Sequence, residues 1–319
     1  MIDLNRKFRI ICFGQAVSDV YSGPYPGDFL RRRFTPYHDL QVNTGGDTAN
    51  AANNFAGMGC DTRIIACVGK DALGRSVRRV AERFGVDTRY LMRHERLHTA
   101  TTTVWLRENG RTLTHAPSCN REFSLEAFDE KMIESYDHLY YASVNSLPKI
   151  DGRPGAALLK RAKEMGLSTS MDSNTGKGHF EVLEPMLEHC DIYIPNHEEI
   201  EVYTGLTDMQ EIKAFFSRYP IKVLGVKRGR DGLFLTDFKE DYSLPTLFEG
   251  TPVDQLGAGD ALLSTFVLAY KYGFPLKACG QIASAAAALC LSMRGASLWG
   301  RPFAQVVKHA VSLGCDIEI

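Results

Sequence analysis

Short apolar or β-branched runs alternate with segments of helical period along most of this 319-residue chain. A strand buried on both faces reads as a near-continuous apolar run, and parallel neighbours need a crossover of a dozen or more residues, usually a helix. The alternation therefore predicts βαβ units that build a mostly parallel sheet with helices on both faces. Strands are expected at Phe8–Phe13, Thr62–Val68, His138–Ala142, Ser168–Asp172, Ile192–Ile194 and Lys222–Val226. Helices are expected at Thr48–Met58, Ala72–Phe84, Ser124–Glu134, Gly155–Met165, Glu181–Glu188 and Met209–Arg218, and almost continuously from Ala258 to Leu313.

Two stretches break this rhythm. Tyr21 to Asn43 is rich in Gly, Pro and aromatic residues, and Thr99 to His115 places two β-rich runs on either side of Glu108-Asn-Gly110. Asn-Gly accepts the positive φ angles of a type I′ turn, so the second stretch reads as a hairpin. Together they predict a small antiparallel lid, from about 15–45 and 97–118, over one end of the sheet. No repeat or linker divides the chain, and residues 1–319 are expected to form one domain.

Composition narrows the partners. Lys and Arg number 37 against 38 Asp and Glu, a formal charge of -1, which favours neither nucleic acid nor an anionic membrane surface. The eight cysteines stand singly, without C-x-x-C or Cys/His metal spacing, as reduced thiols of a cytoplasmic protein do. The N-terminal residues lack a signal-peptide pattern, and the small-residue run Ala278–Met293 is shorter than a membrane span.

Two glycine-rich segments carry the chemistry. In Asp254-Gln-Leu-Gly-Ala-Gly-Asp260, glycines flank Ala258 immediately before an apolar helix. Amide groups of Gly257, Ala258 and Gly259 at a helix N-terminus would form an anion hole suited to a transferring phosphate. Asp260, one turn in, would be placed to take the proton of an incoming hydroxyl. The plainer alternative is a Gly-rich turn with an Asp helix cap. The second segment, Asn43-Thr-Gly45-Gly46-Asp47-Thr-Ala-Asn50, opens a small-residue helix and offers Asp47 and Asn50 as hydrogen-bonding partners for a polyol.

In this order and spacing the two segments resemble the two signature motifs of the ribokinase-like (PfkB) carbohydrate kinase family. Further landmarks extend the resemblance along the chain: Gly14-x-x-x-x-Asp19 after the first strand, Val68-Gly-Lys-Asp71-Ala-Leu-Gly74, Asn196-His-Glu-Glu199, Val226-Lys227-Arg-Gly229-Arg-Asp-Gly232 and Gly110-Arg-Thr-Leu-Thr-His115-Ala-Pro-Ser-Cys-Asn120. Asp172-Ser-Asn174-Thr-Gly-Lys177 departs from the family's Asp-x-Asn-x-Arg, with Lys177 near the arginine's place.

The resemblance implies a three-layer α/β/α sandwich with a β-lid. It implies a kinase that uses ATP and Mg2+ on a hydroxyl of a sugar-like molecule, with Asp260 as base and Gly257–Gly259 as anion hole. Asp19, Gly45, Gly46, Asp47, Asn50, His115 and Asn120 would face the acceptor. Asn196, Glu199, Lys227, Gly229 and Gly232 would border the nucleotide, with Glu199 reaching Mg2+ through water. Asp254 is a candidate for a monovalent cation, K+, and a homodimer through the lid is implied. The alternatives are a nucleoside kinase, which needs a lid aromatic such as Tyr21, Tyr25 or Phe34 against the base, and a non-catalytic sugar or nucleotide sensor.

Overall fold

The computed structural model describes residues 2–37, 39–107, 110–126, 128–174, 179–295, 298 and 300–318. Strand β1 (Arg9–Phe13) is followed by β2 (Val17–Tyr25) and β3 (Asp39–Gly45), which leave the main sheet. The chain returns through α1 (Asp47–Gly57) to β4 (Asp61–Gly69), α2 (Ala72–Arg83) and β5 (Leu91–His94), then forms the pair β6 (Thr101–Arg107) and β7 (Gly110–Ala116). Next come β8 (His138–Val144), α3 (Arg153–Glu164), β9 (Ser168–Ser173), α4 (Phe180–Leu187), β10 (Ile192–Tyr193), α5 (His197–Thr204), α6 (Met209–Phe216) and β11 (Val223–Lys227). Strands β12 (Leu233–Thr236) and β13 (Asp241–Leu244) precede α7 (Ala258–Tyr272), α8 (Leu276–Leu291) and α9 (Phe303–Ser312).

The nine-stranded sheet runs β13-β12-β11-β10-β9-β8-β1-β4-β5. From β11 to β5 every pairing is parallel; β12 alone runs against the other strands, antiparallel to both β11 and β13. Alternate residues of β1 feed the two layers: Ile10 and Cys12 join the core with α1, α7 and α8, whereas Ile11 and Phe13 join the core with α3, α4 and α6. Each large apolar side chain so removed from water contributes about 1.5–3 kcal/mol. The sandwich and the six expected strands are all present, within a residue or two at their ends.

The lid is a second sheet of order β3-β2-β6-β7, in which β2 pairs parallel with β6 and the other pairings are antiparallel. The turn residues Glu108 and Asn109 lie outside the described residues. Because β2 starts where β1 ends, the lid rises from the carboxyl edge of the main sheet.

One expected helix is absent. Among the described residues of 124–134 only a 3-10 turn, Glu130–Met132, forms. Asp129 is extended and caps the turn through Lys131 N–H, while the Arg63 guanidinium takes the carbonyls of Lys131 and Met132, so these groups find partners outside any helix. Strands β5, β12 and β13 and helix α5 were not expected; they are short and lack a full period of apolar residues. Among the described residues no helix is long and apolar enough to cross a membrane, and all eight cysteines are buried and free of disulfides.

Candidate active site

The carboxyl ends of β1, β8, β9 and β11 and the first turns of α1 and α7 converge beneath the lid, the usual ligand edge of an open α/β sheet. Gly257 precedes α7 at φ 77°, a left-handed conformation costly for any residue with a β-carbon. No side chain caps α7, so the amides of its first turn stay open to the cleft at the positive end of the helix dipole.

Asp260 lies in that turn and is 6% exposed. Its Oδ2 accepts a hydrogen bond from Asn50 Nδ2 at 2.7 Å. Asp47, at the start of α1, accepts from Ser143 Oγ at 2.5 Å, and Asp172, near the end of β9, accepts from Lys227 Nζ at 3.1 Å. Carboxylate oxygens of Asp47, Asp172 and Asp260 lie within 4.8 Å of one another. Burial, followed by the charges of Asp47 and Asp172, pushes the Asp260 carboxyl well above its ordinary range, against the opposing effects of Asn50 and Lys227. Burial, with Asp172 next, raises Asp47 to about 6. For Lys227 burial favours the neutral amine, but Asp172 and Glu199 outweigh it and hold the ammonium above its usual value.

Two cavities meet at this point. The larger, about 720 Å³, opens under the lid and is lined by Asp19, Gly46, Asp47, Asn50 and His115 among others. The smaller, about 210 Å³, is lined by Asp172, Ser173, Glu199, Lys227 and Gly259 among others. Asp47, Asn174, Gly257 and Asp260 line both.

Asp19 on β2 lies against Gly45, where a β-carbon would collide with the Asp19 carboxylate. Burial, with contributions from Asp47 and Asp254, raises Asp19 to about 7 while Thr102 and Arg111 act in the opposite sense. His115 on β7 bonds Thr102 Oγ1 through Nδ1 at 3.0 Å, and burial lowers its pKa. Asn120 does not line the cavity: it is fully buried and donates Nδ2 to the Ala16 carbonyl at 3.1 Å.

On the other side, Glu199 Oε2 accepts from Asn196 N at 2.8 Å and from Ser173 Oγ at 3.1 Å, and burial raises Glu199 to about 8. Asn196 Oδ1 in turn accepts from Glu199 N at 2.7 Å, so Asn196 serves the capping box of α5 and lines neither cavity. Gly229 and Gly232 turn the chain between β11 and β12 and also line neither. Lys227 lies against the anion-hole loop, with Nζ 3.3 Å from where a β-carbon on Gly259 would stand.

Asp254 is fully engaged by the protein. Tyr21 Oη donates to it at 3.0 Å, Arg111 at 2.9 Å, Leu256 N at 3.0 Å and Gly295 N at 3.2 Å. One of these partners, Arg111, is a guanidinium from the lid. Tyr21, spent on this contact, lines neither cavity.

Sequence reasoning missed Asp172 as a site residue, although Asp172-Ser-Asn174 had marked its position. It also missed Ser143, Arg111, Thr102 and Arg121, which only the lid, the 3-10 turn after it and β8 bring to the site; Lys177 lies outside the described residues.

A mainly parallel sheet, a lid and a buried aspartate beside an uncapped helix N-terminus define the class of small-molecule kinases with a ribokinase-like fold. Residues 8–302 match the model of the pfkB family of carbohydrate kinases, and the chain belongs to that family. It is 27% identical over 248 residues to an uncharacterized sugar kinase of Archaeoglobus fulgidus, covering 75% of this chain and 94% of the relative. It is 28% identical over 255 residues to an ATP-dependent ribose-1-phosphate kinase of Halopiger xanaduensis, covering 79% and 81%. The fold matches Arabidopsis thaliana ribokinase complexed with ribose and ATP at a TM-score of 0.79, with 21% identity, covering 96% of this chain and 99% of the other. It also matches an E. coli protein assigned as ribokinase II, in complex with ATP and Mg2+, at a TM-score of 0.82 with 20% identity over 96% and 100% of the two chains.

Proposed function

We propose that this kinase transfers the γ-phosphoryl group of MgATP to a hydroxyl of a sugar-like acceptor, with Asp260 as general base. The observation that carries this reading is that Asp260 and Gly257, with Asp47 and Asn174, line both cavities, so an acceptor in the larger and a nucleotide in the smaller would meet at the Asp260 carboxylate and the anion hole.

In this account Asp19, Asp47 and Asn50 orient the acceptor and His115 closes over it from the lid. Asp260 takes the hydroxyl proton as the acceptor oxygen bonds to the γ-phosphorus and the bond to the β-phosphate oxygen breaks. Amides of Gly257, Ala258 and Gly259 hold the charge that develops, and Lys227 adds a cation on the nucleotide side. Burial and the neighbouring carboxylates raise the Asp260 pKa, which makes its ionised form a stronger base. The donor set fits Mg2+, because Asp47, Asp172 and Glu199 offer the hard oxygens a hydrated divalent ion takes, Glu199 through water. When bound, the ion supplies neutralisation of phosphate charge.

A nucleoside acceptor is less well supported: among the described residues lining the larger cavity there is no Phe, Tyr or Trp to stack on a base. A sensor would have no use for a buried, hydrogen-bonded carboxylate at the junction. Leu30, Phe34 and Leu40, 57–82% exposed, lie on or beside the lid strands and support a homodimer through the lid, which sedimentation equilibrium tests. The activity is tested by ADP release with MgATP against sugars, sugar phosphates, sugar acids and nucleosides. Turnover of at least one sugar-type acceptor supports the reading; turnover confined to nucleosides replaces it.

A further inference from the structure

We infer that the acceptor carries a negatively charged group, a phosphate or a carboxylate, and that Arg121 receives it, an inference that rests on the kinase reading above. Among the described residues lining the 720 Å³ cavity, Arg121 is the one Arg or Lys. It is exposed, and its side chain makes no hydrogen bond or ion pair among the described residues. The acid next to it, Glu122, is bonded to Lys149 Nζ at 2.6 Å, and Arg121 acts on it only as a minor charge without a direct bond. His115, the other basic group in the wall, is held toward its neutral form by burial, so the full positive charge rests on Arg121.

The guanidinium is also well placed. It ends the 3-10 turn Ser118–Arg121, which starts from a left-handed Ser118 at φ 38°, a conformation strained for serine. The turn is pinned at Cys119 N to the His98 carbonyl at 3.2 Å and at Asn120 Nδ2 to the Ala16 carbonyl at 3.1 Å. Asp19, Asp47 and Asp260 present carboxyls to the same cavity, suited to hydroxyls and unsuited to an anion. An acceptor with hydroxyls at one end and an anion at the other matches that division of charge. A planar guanidinium binds either anion through paired hydrogen bonds.

The test is calorimetric binding of matched acceptors to the wild type, Arg121→Ala and Arg121→Lys. The probes are ribose with its 1- and 5-phosphates, fructose with its 6-phosphate, and glucose with gluconate. An anionic member is expected to bind the wild type at least tenfold more tightly than its neutral partner. It should weaken about 10- to 100-fold in Arg121→Ala, with the neutral partner affected much less and Arg121→Lys in between. Preference for phosphate or for gluconate identifies which anion is meant. If no anionic member binds more tightly than its neutral partner, or if the tight one is undiminished in Arg121→Ala, the inference is overturned. Failure of the kinase reading shows separately, as a bound acceptor that releases no ADP from MgATP.

Discussion

Asn50 Nδ2 donates to Asp260 Oδ2 at 2.7 Å and so ties the first turn of α1 to the first turn of α7. The bond aims the carboxylate and favours its ionised form, opposing the burial that raises its pKa. Asn50→Ala is expected to lower kcat by about 10- to 100-fold and to move the acidic limb of the pH–rate profile to higher pH. An unmoved limb would show that Asn50 does not act on the base.

Asp19 makes stability depend on pH. Its carboxyl rises from 3.8 to about 7 on folding, so the native protein holds a proton that the unfolded chain has released across that interval. The stability it contributes is fully present below about pH 4 and is lost as pH rises to 7. Glu199, raised to about 8, acts in the same direction. Asp19→Asn should therefore stabilise the ligand-free protein at pH 8 by on the order of 1–3 kcal/mol and have little effect at pH 4, as thermal unfolding at the two pH values would show.

Gly45 packs where only a hydrogen fits beside the Asp19 carboxylate. Gly45→Ala is expected to displace Asp19 and raise the acceptor KM about tenfold or more with the KM for ATP unchanged, because the substitution lies on the acceptor side of Asp260. Equal rises in both constants would point to a general loss of structure.

Arg111 bridges lid and loop at Asp254. With a guanidinium already on that carboxylate, activity should be equal in sodium and potassium salts. Arg111→Ala leaves Asp254 buried without its cation, at a cost of about 1–3 kcal/mol given the partial exposure of Arg111, and is expected to make activity respond to K+. Potassium stimulation of the wild type would contradict this.

The strands and most helices were legible because each carries its own apolar period, and the Gly257–Asp260 and Gly45–Asn50 segments were legible because their chemistry is local. What escaped was set by tertiary contacts. Nothing near Glu130 announces that Arg63, distant in the chain, will take the carbonyls of the expected helix. Asp172 gains its place from Lys227 on β11, and Asn120, which read as a ligand contact, turns inward to the Ala16 carbonyl, distant in the chain. Arg121, its neighbour, faces the cavity instead, and a one-residue difference in side-chain direction has no signature in the sequence.

The most direct test of the account is single-turnover phosphoryl transfer by Asp260→Asn beside the wild type, with nucleotide and acceptor binding measured calorimetrically on both. Transfer slowed by on the order of a hundredfold or more, with both ligands still bound, is the predicted result. Undiminished transfer by Asp260→Asn would remove the general base from the mechanism and the account with it.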